Sequence, residues 1–246
     1  MEPNSSAGAV AAPVAAESVA RLTALFRNQS KFHLGGKENW SISSELVDFL
    51  LKTLRPGQST LETGAGFSTV IFAVFRCRHI CICPDVGEME RIRSFCASNA
   101  ISMDTVSFIN EPSQIALPKL DMGELDLVLV DGGHGFPVPQ IDWFYTSYAL
   151  RIGGLSVIDD IELWSCHILS AFLKKETGWR SLGDIGHRTA VFEKTEPFDY
   201  KEFCDQPYVV GKSRMRSLIL KVRRVLSLIG SGNLGELRHR IRKLSA

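Results

Sequence analysis

Apolar and polar positions alternate in blocks along the middle of the chain. Short apolar runs, such as Leu-Val-Leu-Val at 127–130, are typical of strands buried on both faces. Between these runs, apolar residues recur every three or four positions, as they do in amphipathic helices. Strands are predicted at 59–62, 79–83, 105–109, 125–131, 155–159, 179–182 and 190–193, and helices at 17–27, 44–54, 68–75, 87–100, 139–150 and 163–175.

The alternation of strands and helices predicts an α/β fold. We expect a doubly wound, mostly parallel sheet with helices on both faces, spanning residues 31–198. Residues 1–30 begin with a stretch rich in Ala, Ser and Pro and are expected to form a flexible segment, apart from the short predicted helix. Residues 199–246 are predicted to form a basic extension that is helical.

Charge is unevenly distributed over the 246 residues, whose formal net charge is +1. Residues 212–246 contain ten Lys or Arg and one Glu, so this tail carries +9 and the remainder carries −8. An acidic body suits a cationic ligand. The tail could bind nucleic acid or, through the amphipathic stretch 218–229, a membrane surface. The simpler interpretation of that stretch is a C-terminal helix that is packed or solvated. A homo-oligomer of the whole protein is a further open alternative.

The six cysteines include no Cys-x-x-Cys pair of the kind that binds zinc. Reduced thiols are therefore favoured, as is usual in the cytosol. The sequence has no uncharged apolar run of about 18 residues and no basic start like that of a signal peptide. We expect a cytoplasmic protein.

Residues 61–70 predict a ligand-binding turn between a strand and a helix. Gly64 and Gly66 allow a sharp turn and a close approach of the backbone to a ligand. The N-terminus of the following helix offers unpaired N–H groups. Glu62 would repel a pyrophosphate, and Thr69 occupies the third glycine position of the dinucleotide fingerprint. A dinucleotide-dependent oxidoreductase therefore remains only an alternative.

The order Glu62-Thr63-Gly64-Ala65-Gly66 resembles the first motif of class I S-adenosylmethionine-dependent methyltransferases, in which an acidic residue precedes Gly-x-Gly. This resemblance implies a Rossmann-like fold and methyl transfer from S-adenosylmethionine. It also implies cofactor contacts at Glu62, Thr63, Gly64, Ala65, Gly66 and Ser68, and at Asp85 and Asp131 after later strands.

Acidic residues follow four of the predicted strands, where ligands of open α/β sheets bind. Asp85 could accept hydrogen bonds from the cofactor ribose. It could equally cap the helix at 87–100, since Glu88 stands at the offset of a capping box. Asp131, Asp159 and Asp160 could together bind Mg²⁺, which prefers oxygen ligands.

Val-Asp-Gly-Gly-His at 130–134 and Ile-Asp-Asp at 158–160 resemble motifs of macrocin-like O-methyltransferases. In macrocin-type enzymes and in catechol O-methyltransferase, metal ligands stand at matching places. Asp159 could instead cap the next helix, and Asp131 could contact the cofactor. His134 is the candidate general base, with Asp131 beside it, because an imidazole pKa near 6.5 suits proton transfer at neutral pH. A loop histidine packed on Phe136 is the alternative.

The acceptor atom is predicted to be oxygen. The Asn/Asp-Pro-Pro-Tyr motif of many enzymes that methylate exocyclic amines is absent, and Ile-Asp-Asp-Ile stands at 158–161. The resemblance implies a small-molecule hydroxyl, such as that of a sugar or glycoside. A binding module with a silent core and a basic tail remains a further alternative.

Overall fold

The computed structural model describes residues 16–38 and 40–231. Within these residues one seven-stranded sheet has the order β3-β2-β1-β4-β5-β7-β6. The first five strands pair in parallel, and β7 runs antiparallel to both neighbours. The predicted doubly wound, mostly parallel α/β fold is confirmed. The strands are β1 (Ser59–Thr63), β2 (Arg78–Ile82), β3 (Val106–Ile109), β4 (Leu125–Val130), β5 (Leu150–Ile158), β6 (Trp179–Ile185) and β7 (Thr189–Lys194).

The helices begin and end close to the predicted residues, because local capping groups and apolar spacing set their limits. Ser43, for example, accepts a hydrogen bond from the amide of Leu46 and so caps α2. The single-turn helix α5 was not predicted, since four residues show no helical period. The helices are α1 (Ala16–Arg27), α2 (Ser44–Thr53), α3 (Phe67–Val74), α4 (Val86–Ser98), α5 (Ser113–Ala116), α6 (Val138–Ala149), α7 (Trp164–Leu173) and α8 (Pro207–Gly230).

Two apolar clusters cover the two faces of the sheet. Leu127 and Leu129 of β4 belong to the cluster that includes buried residues of α2, α3 and α4. Val128 and Val130 belong to the cluster that includes residues of α6 and α7. Successive strand residues point to opposite faces. The continuous apolar run of β4 therefore follows from its burial on both sides.

The helix α1, which precedes the predicted domain start at residue 31, packs against the core. Leu22 of α1 is only 1% exposed, and Phe26 packs edge-to-face on Phe67 with 5.2 Å between ring centroids. The apolar side of α1 thus has a partner in the core, which a flexible segment would lack. The first fifteen residues lie outside the described part of the chain.

The described residues divide into two compact units, one that ends at Asp199 and one that begins at Tyr200 and is described as far as residue 231. The long helix α8 of the second unit accords with the helical extension predicted from the sequence. Residues 232–246, which carry four of the ten basic residues of the tail, are outside the described part. Among the described helices, none is both long and apolar enough to cross a bilayer.

Candidate functional site

A cavity of about 520 Å³ opens at the carboxyl edge of the sheet. Its lining comes from the β1–α3 turn, the segment after β2, the loop after β4, and residues beside the ends of β5 and β7. The order in which strands join the sheet reverses between β1 and β4, because β2 and β3 lie on one side of β1 whereas β4 and β5 lie on the other. Such a reversal leaves a crevice at the strand ends, and ligands of open α/β sheets bind there.

The two glycines of the first turn have different physical roles. Gly64 has φ +89°, and a Cβ atom there would stand 2.1 Å from the carbonyl oxygen of Asp131. Gly66 has an extended backbone, and a Cβ atom there would meet only the His33 ring, at 3.7 Å. Gly64 is therefore required by protein packing, whereas Gly66 keeps space open beside the cavity.

Glu62 lies under this turn rather than in the cavity. Its carboxylate accepts a short hydrogen bond from the Thr69 hydroxyl, and Oε1 lies 3.1 Å from Nε2 of His79. The amide of Gly66 donates to the same Thr69 oxygen at 3.1 Å. Glu62 and Thr63 are not among the described residues that line the cavity. The structure therefore shows the Glu62 carboxylate holding the turn through Thr69, and its predicted contact with a cofactor stays a prediction.

After β2, the acidic residue that faces the cavity is Glu88 and not Asp85. Asp85 accepts a hydrogen bond from the amide of Glu88 at 3.2 Å and caps α4, which is the second of its two predicted roles. Glu88 lines the cavity, and its Oε1 is 3.2 Å from Nδ1 of His33. The other ring nitrogen of His33 is buried without a partner in the described residues. A ligand could satisfy that nitrogen.

The loop after β4 and the end of β5 bring three predicted residues together. One ligand-type atom from each of Asp131, His134 and Asp160 lies within 4.8 Å of the others. Nε2 of His134 is 3.1 Å from Oδ2 of Asp160. Asp159 is fully buried and accepts a short hydrogen bond from Thr189 of β7. The structure therefore places Asp159 behind the site.

Arg188 is a site residue that the sequence analysis missed. Its Nε donates to Oδ1 of Asp160 at 2.6 Å, and its Nη2 lies 3.7 Å from Oδ2 of Asp159. Arg188 also lines the cavity. The antiparallel pairing of β7 with β5 brings this arginine to the carboxyl end of β5. A lone arginine between two short strands gives no local signal of that pairing.

The pKa values of this cluster follow from burial and pairing. Burial, with Asp159 and Asp160 nearby, raises the pKa of Asp131 well above its usual value. The hydrogen bond to Asp160, followed by that to Cys166, raises the pKa of His134 to about 10. Desolvation opposes ionisation of Asp160, but His134 and Arg188 hold its pKa below the ordinary value. At neutral pH the ligand-free site therefore contains an imidazolium between carboxyl groups.

Exposed aromatic rings stand beside this charged cluster. Phe136 is 72% exposed and Trp164 is 74% exposed. The Ser165 hydroxyl donates a short hydrogen bond to the His134 carbonyl, which fastens the start of α7 to the loop after β4. Trp40 lines the cavity and stacks on His33, with 5.6 Å between the ring centroids. The cavity lining thus includes the aromatic ring of Trp40 as well as charged side chains.

Residues 61–161 match the sequence profile of a family described as a methyltransferase domain. The matched segment is 101 of the 246 residues and runs from β1 to just beyond β5. Given the fold around this segment, the protein is an S-adenosylmethionine-dependent methyltransferase. This finding favours the methyltransferase interpretation over the oxidoreductase and over the silent binding module.

Solved structures show the same fold. Cofactor-bound Rv0187 from MTB has a TM-score of 0.55 at 18% identity, covering 74% of this chain and 91% of its own. A protein from Klebsiella pneumoniae, described as a candidate O-methyltransferase, has a TM-score of 0.58 at 14% identity, with coverage of 74% and 91%. A candidate rRNA methylase from Clostridium thermocellum has a TM-score of 0.51 at 14% identity, with coverage of 64% and 99%. No curated protein matches the chain.

We expect Gly66→Val to weaken binding of S-adenosylhomocysteine while the methyltransferase stays folded. The extended backbone of Gly66 admits any residue, but the new side chain would fill space beside His33. Overpacking costs about 1–3 kcal/mol, or roughly a 5- to 150-fold rise in Kd. Calorimetry would measure the affinity, and thermal melting would report the fold.

Gly135→Val is the matched control, because a Cβ atom at Gly135 meets nothing within 4 Å and the residue does not line the cavity. Unchanged affinity in a folded Gly66→Val protein would show that the cofactor does not bind at this turn. Gly64→Val is a poor test of binding, since its side chain would collide with the Asp131 backbone.

Proposed function

We propose that the protein transfers a methyl group to a hydroxyl oxygen of a small molecule, and that the acceptor is a sugar or glycoside. The observation that carries this proposal is the His134–Asp160 pair beside the cavity. The pair provides a proton acceptor in the same cavity as the glycine turn. Membership of the macrocin-like group, to which the motifs at 130–134 and 158–160 are similar, is part of the same proposal.

The cavity residues fit an S-adenosylmethionine molecule. The turn with Gly64, Ala65, Gly66 and Ser68 would hold one part of it, and Glu88 with the unpartnered His33 nitrogen would hold hydroxyl groups. Asp131 lies at the boundary between the cofactor turn and the acceptor end. When bound, the cofactor supplies a methyl group on a positively charged sulfonium. The chain's own task is to align an oxygen with that methyl and remove its proton.

Proton removal falls to His134 with Asp160. The neutral imidazole of His134 would accept the hydroxyl proton while the oxygen–methyl bond forms and the sulfur–methyl bond breaks. Nε2 of His134 is 3.1 Å from Oδ2 of Asp160, so the resulting imidazolium would be stabilised by that carboxylate. The imidazole must first be neutral, yet its pKa is about 10 in the ligand-free protein. A positive charge in the cavity would oppose the imidazolium and lower that pKa. Asp131, whose own pKa is raised, lies close enough to share the proton.

Two exposed aromatic residues near the His134 loop support a ring-shaped acceptor. Phe136 and Trp164 expose large apolar faces next to the loop that carries His134. The apolar face of a sugar ring can stack on such a surface while its hydroxyl groups reach polar side chains. Trp164 also stacks on His167 at 5.3 Å, which limits rotation of its ring. These features favour a glycoside over an acceptor without rings.

A divalent cation fits this site poorly. Asp131, His134 and Asp160 are close enough to surround an ion, but Asp160 is already paired with His134 and Arg188. Asp159, the third predicted ligand, is bound to Thr189. The two cationic side chains supply the positive charge that the sequence analysis assigned to Mg²⁺. We therefore propose that Asp131, Asp159 and Asp160 act without a metal.

The acceptor class is tested by methyl transfer to a panel of glycosides, phenols, carboxylic acids, nucleosides and bulk RNA. We expect O-methylated glycosides, identified by mass spectrometry, because the acceptor end combines a base with aromatic faces. Trp164→Leu should raise KM with little change in kcat, since it removes binding surface and no proton acceptor. Methylation of RNA, or of a nitrogen in any acceptor, would contradict the proposal.

The pH profile tests the base. We expect kcat/KM to rise between about pH 7 and pH 10, because His134 accepts a proton only after losing its own. Asp160→Asn removes the largest cause of the raised pKa, so the rising limb should move toward about pH 6.5. His134→Gln should abolish the limb. A flat wild-type profile over this range would remove His134 as the base.

Chelation tests the metal. We expect EDTA to leave methyl transfer unchanged, because Arg188 and His134 already offset the carboxylates. Added Mg²⁺ or Mn²⁺ should not raise the rate. Loss of activity in EDTA that Mg²⁺ restores would instead support the metal site of Asp131, Asp159 and Asp160.

A further inference from the structure

The helix α8 has a continuous apolar sector along its length. It comprises 24 residues, none of which is buried. At about 100° per residue, one sector roughly 120° wide contains no charged side chain. The apolar side chains of this sector are Tyr208, Met215, Leu218, Ile219, Val222, Val225, Leu226 and Ile229.

The rest of the circumference carries all the charged side chains of the helix, together with Val209, Val210, Leu220 and Leu228. α8 has six Lys or Arg residues and no Asp or Glu. Lys212 and Arg223 border one edge of the apolar sector, and Arg214 and Lys221 border the other. Long basic side chains can lie along an apolar surface while their charged ends reach outward. The helix is therefore amphipathic with cations on both borders.

We propose that α8 binds the surface of a lipid bilayer that contains anionic phospholipids, and lies in the plane of the headgroups. A basic amphipathic helix buries its apolar side at the boundary of the acyl chains and places its cations at the phosphates. Each basic residue near such a surface strengthens binding by about fivefold. This function is separate from the methyl transfer proposed above.

A second copy of the helix or a nucleic acid would match α8 less well than a bilayer surface does. A second copy of α8 would bring like charges together, with no acidic residue in either helix to offset them. Nucleic acid would use the cations but leave the apolar sector in water. A bilayer surface satisfies both the apolar sector and the six cations. The basic residues Arg238, Arg240, Arg242 and Lys243 continue the charge in sequence beyond the described helix.

The test is co-sedimentation of the full chain with vesicles of phosphatidylcholine alone or mixed with phosphatidylserine. We expect binding to the mixed vesicles only. Binding should fall at least tenfold between about 0.1 and 1 M salt, where the Debye length shrinks from about 10 to 3 Å. Unbound protein with both vesicle types at low salt would overturn the proposal.

Two matched variants separate the apolar sector from general effects on the helix. Met215→Gln with Val222→Gln changes the centre of the sector, and Val209→Gln with Leu220→Gln changes the opposite side. Both pairs remove two apolar side chains, keep the charge and use a residue compatible with helices. We expect only the first pair to lose vesicle binding, by about tenfold or more.

Circular dichroism and S-adenosylhomocysteine binding should be the same in both variants, which checks the fold. An equal loss of vesicle binding in both variants would show that the apolar sector does not make the contact with the bilayer. RNA binding without vesicle binding would reassign the cations to nucleic acid. Self-association that is lost only in the first variant, without vesicle binding, would reassign the sector to a second copy of the chain.

Discussion

The close passage of Gly64 against the carbonyl oxygen of Asp131 joins the two halves of the site. No side chain fits between these backbones, because a Cβ atom would stand 2.1 Å from the oxygen. The amide of Asp131 also donates to the carbonyl of Thr63 at 3.1 Å, which continues the β1–β4 pairing. The cofactor turn and the loop that carries His134 are therefore held at one separation. Alignment of donor and acceptor depends on that separation.

The acidic residues at the carboxyl ends of the strands, here called the acidic row, are stabilised by a different partner at each strand. Glu62 has Thr69 and His79, Asp159 has Thr189, and Asp160 has both His134 and Arg188. Buried carboxylates without such partners would cost several kcal/mol each. Within the described residues the Asp131 carboxyl group has no such hydrogen bond or ion pair, and burial with Asp159 and Asp160 nearby raises its pKa well above the usual value. Asp131 and Glu88 both line the cavity, and Glu88 is paired there with His33.

The protein combines two kinds of charged surface in two compact units. The catalytic unit contains the acidic row, whereas the described part of the second unit has a helix with six basic residues and no acid. A negative site suits a cofactor with a positive sulfonium, while a basic amphipathic helix suits an anionic surface. The near-zero net charge of the whole chain hides this division.

Sequence alone determined the sheet, most helices and the position of the glycine turn, because apolar period and capping are local properties of the chain. It also placed acids at the strand ends and brought Asp131, His134 and Asp160 to one edge. Tertiary structure decided that Glu88 rather than Glu62 or Asp85 faces the cavity, and that Arg188 pairs with Asp160. Those outcomes depend on the direction in which a side chain points from its turn or helix, and on the antiparallel pairing of β7 with β5. Both are set by contacts between segments far apart in sequence, which local periodicity does not record.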